Sequence, residues 1–338
     1  MKILTFVVPC YNSEAYMEKC IESLLPGGEE VEILIVDDGS KDRTAEIADA
    51  YQEKYPTIIR AIHQENKGPG GAINTGLAHA RGLYFKVVDS DDWVNEEAYR
   101  HILNILEDAV QGSQTLGMLI CNYVYEKEGS KRKRVMRYHR GLPPNHLFSW
   151  EETKKLGRTH SILMHSLVFR TQLLQECNLQ LPEHMFYVDN LVAFIPYPYV
   201  TTMYYADVDF YRYYIGRPDQ TVNEQIMITH IDQQLRVNKI MIDYLGEQKN
   251  LDKHIRNYMV NYLTIIMMVS SVMLIRSGTP ENLEKKMELW KYLKANDSMD
   301  YRRIRYGLFG IVMCTRTKAG HKAAIYGYKI AQKLYGFN

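Results

Sequence analysis

The sequence predicts an α/β fold: a Rossmann-like, mostly parallel central sheet with helices on both faces, followed by a helical carboxyl-terminal region. Three observations predict it. Short apolar runs alternate with helical-period segments over roughly residues 1–110, acidic or glycine-rich clusters follow successive runs, and from residue 222 onward only helical periodicity remains. A strand covered on both sides reads as an unbroken aliphatic run rather than an alternation, because βαβ crossovers place helices over both faces of a parallel sheet. The division is drawn at residues 1–221 for the α/β domain and 222–338 for the helical region.

The first run, Ile3 to Val8, ends in Pro9-Cys10-Tyr11-Asn12-Ser13-Glu14. Met17, Cys20, Ile21, Leu24 and Leu25 then recur at helical spacing until Pro26-Gly27-Gly28 stops them. Val31 to Val36 is a second strand ending in Asp37-Asp38-Gly39-Ser40, with a polar helix from Asp42 to Tyr55 closed by Pro56. Ile58 to His63 reads as a third strand, Asn66 to Gly71 as a glycine-rich loop, Ala72 to Arg81 as a helix and Leu83 to Val88 as a fourth strand. That strand breaks off in Asp89-Ser90-Asp91-Asp92-Trp93. In extended backbone Asp89 and Asp91 point to the same side, and paired hard oxygen ligands suit Mg²⁺ or Mn²⁺; a solvated acidic turn is the plain alternative.

Further on, Tyr99, Ile102, Leu103 and Leu106 mark a helix and Met118 to Tyr125 a strand. Ser149-Trp150-Glu151-Glu152 has capping-box spacing and predicts another helix start. A looser pattern from Pro182 to Asn190 reads as a loop delivering Asp189 to the ligand edge. Tyrosines alternating from Thr201 to Tyr214 predict a hairpin, and Ile226 to Leu245, Leu251 to Ile275 and Glu281 to Leu293 predict helices. Met259 to Ile275 is the most apolar run, but Asn261, Thr264, Ser270 and Ser271 interrupt it, so it reads as a packed helix rather than a membrane span.

A net charge of +1 provides no global field toward nucleic acid, so no nucleic-acid partner is expected. Five scattered cysteines without a Cys-x-x-Cys pair argue against a disulfide framework or a zinc site and fit a reducing cytoplasm. The amino-terminal apolar run is too short for a signal peptide. Lys131 to Arg140 is strongly basic and reads as a solvated loop ahead of a phosphate or headgroup patch. Tyr301 to Asn338 contains no acid; Arg302, Arg303, Arg305, Arg316, Lys318, Lys322, Lys329 and Lys333 are interleaved with Tyr306, Leu308, Ile311, Ile330 and Tyr335. This predicts peripheral binding to an anionic membrane at the cytoplasmic face, the alternative being a basic helix packed on the domain.

Four clusters after successive strands surround one edge of one sheet, and their combination resembles the family 2 glycosyltransferases of the GT-A fold. The matching residues are Val8-Pro9-Cys10-Tyr11-Asn12-Ser13-Glu14, Val36-Asp37-Asp38-Gly39-Ser40, Asn66-Lys67-Gly68, Ala72-Ile73-Asn74-Thr75-Gly76 and Asp89-Ser90-Asp91-Asp92. The resemblance implies a nucleotide-sugar site with Tyr11 stacked on uracil and Asp38 accepting its imino proton. Pro9 belongs to the first of these motifs. Glu14 would cap its own helix or hold the loop gripping the base. Lys67, Gly68 and the following glycines would let backbone approach the nucleotide, and Asn74 would tie their helix to the acidic loop. Asp89, Ser90 and Asp91 would hold the ribose and an Mn²⁺ or Mg²⁺ ion on the diphosphate, Asp91 being the direct metal ligand and Asp92 adding a water-mediated contact.

The family's catalytic base falls within Phe186-Tyr187-Val188-Asp189-Asn190, which assigns Asp189 to that role, with Val188 where a Glu commonly sits and His184 as a nearby second choice. Arg217 resembles a family residue closing over the diphosphate. Implied partners are a UDP-sugar donor and a glycan or lipid-linked acceptor; a homo-oligomer is left open. The implied activity is metal-dependent, inverting transfer of a hexose or N-acetylhexosamine in surface-glycan or teichoic-acid-type synthesis. The alternatives are a noncatalytic sugar-nucleotide binder and a nucleotidyltransferase of similar fold.

Overall fold

A computed structural model describes the chain except for residues 128, 130–132, 155–160, 218–219, 316 and 336–338, and except for the side chains of 309 and 331–335. Lys131, Arg132 and Arg316, with the side chains of Lys333 and Tyr335, lie outside the described residues, as do Pro218 and Asp219 beside Arg217. The chain divides into two units, Met1–Leu156 with Ile162–Tyr214, and Ile215–Asn338 with Gly157–Ser161.

The first unit is built on a ten-stranded sheet. Its strands are β1 (Leu4–Cys10), β2 (Val31–Asp37), β3 (Ile59–His63), β4 (Tyr84–Val87), β5 (Trp93–Val94), β6 (Met118–Lys127), β7 (Arg134–Met136), β8 (Leu147–Phe148), β9 (Leu167–Arg170) and β10 (Met203–Ile215). The main order is β3-β2-β1-β4-β9-β6-β10-β5, with β7 on β6 and β8 on β10. The parallel part is β3-β2-β1-β4, where Val8 pairs with Ile35 and Val7 with Val87. Beyond β4, the pairs β4·β9, β9·β6 and β10·β5 run antiparallel, the first of them pairing Phe169 with Phe85. Helices are α1 (Met17–Leu24), α2 (Thr44–Lys54), α3 (Gly68–His79), α4 (Glu96–Gln111), α5 (Thr171–Glu176) and α6 (Asp189–Phe194).

Strand alternation sorts the helices onto the two faces. Phe6, Val8 and Cys10 of β1, with Ile33 and Ile35 of β2, join a core shared with Met17 and Ile21 of α1 and Tyr99 and Ile102 of α4. Phe6 and Tyr99 meet edge to face at 5.4 Å. Val7 faces the other way and supports α3, whose Gly76 lies so close that a Cβ there would stand 2.3 Å from the valine methyl. The start of α4 is set by Asn95, whose side chain accepts from the Ala98 N–H, and by Glu96 and Glu97 at the positive end of the helix.

Three local expectations differ from the structure. Residues 201–214 do not form a hairpin: from Met203 they run as one thirteen-residue strand, β10. Both hydrogen bonds of the capping box at Ser149 form, yet they cap only a 3₁₀ turn, Trp150–Glu152, because Trp150 is buried and its indole donates to the Val200 carbonyl. Helix α3 starts at Gly68 instead of Ala72, with Pro69 in its first turn, where a missing N–H costs nothing.

The second unit comprises α7 (Glu224–Thr229), α8 (Ile231–Glu247), α9 (Lys253–Ser277), α10 (Pro280–Asn296), α11 (Ser298–Arg305), α12 (Leu308–Met313) and α13 (Lys318–Tyr335). Helix α9 is its core, packed by α8, α10, α12 and α13. Among the described residues α9 alone is long and apolar enough to cross a membrane, and most of its apolar stretch is buried within the protein. Its serines are satisfied inside: Ser270 Oγ accepts from Asn238 and Ser271 Oγ from the Trp290 indole. All five cysteines are free thiols.

Candidate active site

The loops leaving the carboxyl ends of β1, β2, β3 and β4 are laced into one edge. Asn12, at φ +50°, accepts from the Lys41 N–H through Oδ1 and donates its own N–H to Ser40 Oγ. The Ser13 N–H donates to Thr44 Oγ1, and Ser13 Oγ lies 2.8 Å from Ser90 Oγ, joining the first loop to the acidic one. Tyr11 stands on this rim, 50% exposed, and Pro9 pairs with Val36 in the sheet just below it. Glu14 Oε2 accepts the Arg43 N–H at 3.0 Å, so it holds the start of α2 rather than that of its own helix.

Asp38 is buried, and its Oδ1 accepts from Gln64 Nε2 at 2.6 Å and from the Lys67 N–H at 2.8 Å. These bonds fix the carboxylate against the third loop. The Lys67 side chain pairs with Glu183 at 3.4 Å.

The glycines after Lys67 serve a different close approach from the one expected. Gly68, at φ +74°, has the His184 backbone 2.9 Å from where a Cβ would sit, and at Gly70 a Cβ would lie 2.3 Å from the Pro182 carbonyl oxygen. The chain approaching them is residues 181–185 of the protein itself. Asn74 completes that seam, donating to the Leu181 carbonyl at 2.8 Å and accepting its N–H at 2.9 Å, so it ties α3 to this downstream segment and not to the acidic loop. Gly70→Ala is expected to destabilise the protein by about 1–3 kcal/mol, because the clash is with backbone, and to lower activity by displacing the segment leading to Asp189. Denaturant unfolding and turnover of the variant check both effects.

The acidic loop is a tight turn closed by the Asp92 N–H on the Asp89 carbonyl. Asp92 is buried beneath it: Oδ2 accepts the Tyr211 hydroxyl at 2.6 Å and Oδ1 the Tyr214 N–H at 2.7 Å, which pins β10 under the turn. That replaces the water-mediated contact expected of Asp92. Burial, with Asp91 and Asp89 nearby, holds its carboxyl well above the usual range. Asp89 and Asp91 are partly exposed. Burial and the neighbouring carboxylates of Asp91 and Asp189 push the Asp89 carboxyl up to about 7.

Asp189 therefore lies within electrostatic reach of the acidic loop although one hundred positions separate them in the chain. It opens α6, after Tyr187 at φ +65°, and its Oδ1 accepts from Asn190 Nδ2. Burial pushes its carboxyl up to about 6, opposed by the N–H groups of Asn190 and of Asp189 itself. Val188 is buried, leaving Asp189 as the carboxylate of the expected pair. His184 is held by its backbone, the N–H donating to the Lys67 carbonyl at 2.6 Å. Arg217 belongs to the other unit, where the N–H groups of Gly216 and Arg217 both donate to Gln220 Oε1.

Two residues were missed by sequence reasoning. His165 precedes β9, buried at 4%, with neither ring nitrogen hydrogen-bonded; its Nε2 is 3.9 Å from Asp89 Oδ2. Ligand atoms of Asp89, Asp92 and His165 all lie within 4.8 Å of one another. Lys86 of β4 is buried beside them, donating to the carbonyls of His165 and Leu167 at 2.7 and 3.2 Å. Burial lowers the Lys86 ammonium to about 8, and burial with the Lys86 charge holds the His165 imidazole down to about 3, hence neutral. A lysine inside the apolar run Leu83–Val88 was a visible signal; no motif marks His165.

This arrangement of loops matches known proteins. The family model described as glycosyl transferase family 2 covers residues 5–165. The uncharacterized glycosyltransferase EpsJ of Bacillus subtilis (strain 168) is 33% identical over 202 residues, covering 57% of this chain and 56% of its own. Minor teichoic acid biosynthesis protein GgaA of the same organism is 31% identical over 145 residues, covering 41% and 32%. The chain spans about half the length, or less, of the curated relatives it matches. Among solved structures, S. aureus TarS 1-349 in complex with UDP-GlcNAc superposes over 90% of both chains with a TM-score of 0.52 and 19% identity. The mannosyltransferase PcManGT from Pyrobaculum calidifontis, in complex with GDP-Man and Mn²⁺, does so over 98% of this chain and 86% of its own, with a TM-score of 0.52 and 14% identity. At such identities the structural likeness is one of fold. Residues 5–165 thus match the model of glycosyl transferase family 2, and the α/β sheet with its helical carboxyl-terminal region has the GT-A fold of the structural neighbours.

Proposed function

We propose that the protein transfers a hexose or N-acetylhexosamine from a UDP-sugar to an acceptor hydroxyl, with inversion, in the synthesis of a cell-surface polysaccharide or teichoic-acid-type glycan. The observation that carries this reading is the lacing of the loop clusters into one sheet edge, where Ser13 Oγ meets Ser90 Oγ at 2.8 Å and Asp38 Oδ1 accepts the Lys67 N–H at 2.8 Å. Relatives named for glycosyl transfer and teichoic acid biosynthesis support the setting.

Hard carboxylates at Asp89 and Asp91, close enough for the charge of one to act on the other, suit a divalent cation, although the ligand atoms that lie within 4.8 Å of one another are those of Asp89, Asp92 and His165. When bound there, Mn²⁺ or Mg²⁺ supplies Lewis-acid stabilisation of charge developing on the diphosphate. Tyr11 offers an exposed aromatic face to the base, and Asp38, oriented by Gln64 and Lys67, accepts its imino N–H. Asp189 takes the proton of the acceptor hydroxyl as its oxygen attacks the anomeric carbon opposite the departing diphosphate, and that direction of attack inverts the centre. Arg217 is assigned to the diphosphate on chemical grounds, since a guanidinium forks onto phosphate oxygens and keeps its charge.

The test is UDP release from a panel of UDP-sugars with Mn²⁺ and a glycan or lipid-linked acceptor. Turnover of one UDP-sugar is expected; turnover confined to GDP-sugars would refute the uridine assignment.

The carboxyl-terminal helices suit a peripheral position at the cytoplasmic face of the cell membrane. Helix α13 buries Ala324 and Tyr328 but exposes Tyr326 and Ile330 with Lys318, Lys322 and Lys329, while Tyr306, Leu308 and Ile311 stand out beside Arg302 and Arg303. Apolar side chains next to cations are what an anionic bilayer binds, each cation contributing roughly 1 kcal/mol. The full chain is expected to sediment with phosphatidylglycerol vesicles at low salt and to lose most of that binding when Tyr306, Leu308, Ile311, Tyr326 and Ile330 are replaced by Ser. Undiminished co-sedimentation of the variant would remove the tail from this role.

A further inference from the structure

We infer that His165 is itself a ligand of the divalent cation, beside Asp89, so that the site mixes nitrogen with oxygen donors. The inference rests on the metal-dependent reading above and goes beyond its Asp-x-Asp pair. An imidazole buried at 4% with neither nitrogen hydrogen-bonded leaves its desolvation unrelieved, and a lone pair is what a metal would engage. At 3.9 Å, His165 Nε2 and Asp89 Oδ2 are too far apart for a hydrogen bond, yet within the span of two ligands each about 2.1 Å from one ion.

The neighbours hold the ring for that task. Lys86 Nζ donates to the His165 carbonyl, and the imidazole packs tilted against the Tyr213 ring at 4.2 Å and edge-on to that of Tyr211 at 4.9 Å. The third member of the cluster, Asp92, has one oxygen on the Tyr211 hydroxyl and the other on the Tyr214 N–H, so it positions this wall while Asp89 and His165 bind. A nitrogen donor shifts preference from Mg²⁺, which favours all-oxygen surroundings, toward Mn²⁺.

The test uses the full chain loaded with Mn²⁺ in the absence of nucleotide. Pulsed electron paramagnetic resonance of the wild type is expected to show a nitrogen hyperfine coupling that disappears in His165→Phe, whose ring keeps the packing among the tyrosines. Mn²⁺ titration is expected to show affinity weakened by about tenfold or more in that variant, with Mg²⁺ binding changed much less. If H165F does not fold, H165N makes the same comparison, since an amide would ligate through oxygen. A wild-type spectrum without nitrogen coupling, or coupling and Mn²⁺ affinity unchanged in the variant, overturns the inference. Calorimetry of UDP on the same samples separates the two levels. Mn²⁺-dependent UDP binding without nitrogen coupling sinks the role of His165 alone, whereas absence of Mn²⁺ binding with or without UDP sinks the metal reading as well.

Discussion

Asp189→Asn is expected to lower turnover by roughly 10²–10⁴-fold while leaving UDP affinity unchanged. The amide keeps the shape and still accepts a hydrogen bond, but it cannot take a proton, so the loss isolates base catalysis from binding. The pH profile offers a second reading of the same residue. Burial raises the Asp189 carboxyl to about 6, and only the ionised form is a base. Wild-type kcat should therefore be full above pH 6 and fall as the pH drops through that value, because protonation removes the base. In D189N the residual rate should lose this acid limb. Turnover unchanged in the variant would refute the base assignment, whereas UDP binding without turnover in the wild type would favour a protein that binds sugar nucleotides without reacting them.

Asp91→Ala is expected to abolish the metal-dependent part of UDP binding, on the order of 10²-fold in affinity with Mn²⁺ present, and to stop transfer. Asp91 is partly exposed in the turn, and its charge reaches Asp89, so its removal opens the oxygen-donor set without touching the buried Asp92 clamp on β10. Metal-free UDP affinity, carried by Tyr11 and Asp38, should survive. Calorimetry with and without Mn²⁺ measures both, and an Mn²⁺ effect equal to that of the wild type would show that the cation is held elsewhere.

Most of the parallel half of the fold was legible in the residues. Aliphatic runs such as Val31–Val36 can lie only in strands covered on both faces, and the clusters that end them fall at one sheet edge by the geometry of βα units. Asp38, Tyr11 and the acidic loop were found this way, before any contact was known. What proved illegible were choices between partners. Asn74 can hydrogen-bond any loop passing α3, and it bonds Leu181, 107 positions away. The glycines at 68 and 70 announce a close approach without naming what approaches. Asp92 looked like its neighbours Asp89 and Asp91, yet it faces inward, where Tyr211 and Tyr214 of β10 each donate to one of its oxygens.

The sequence by itself determined the alternation of strand and helix in the parallel core, the clusters that end its strands and the family they resemble, since hydrophobic period and turn residues act over short stretches of chain. Only the tertiary structure decided that His165 comes to 3.9 Å from Asp89, that Tyr211 and Tyr214 of β10 hold Asp92, and that residues 181–185 pass against α3 ahead of Asp189. The physical reason is that such contacts join segments about a hundred residues apart. Long-range packing selects them, and no local pattern records it.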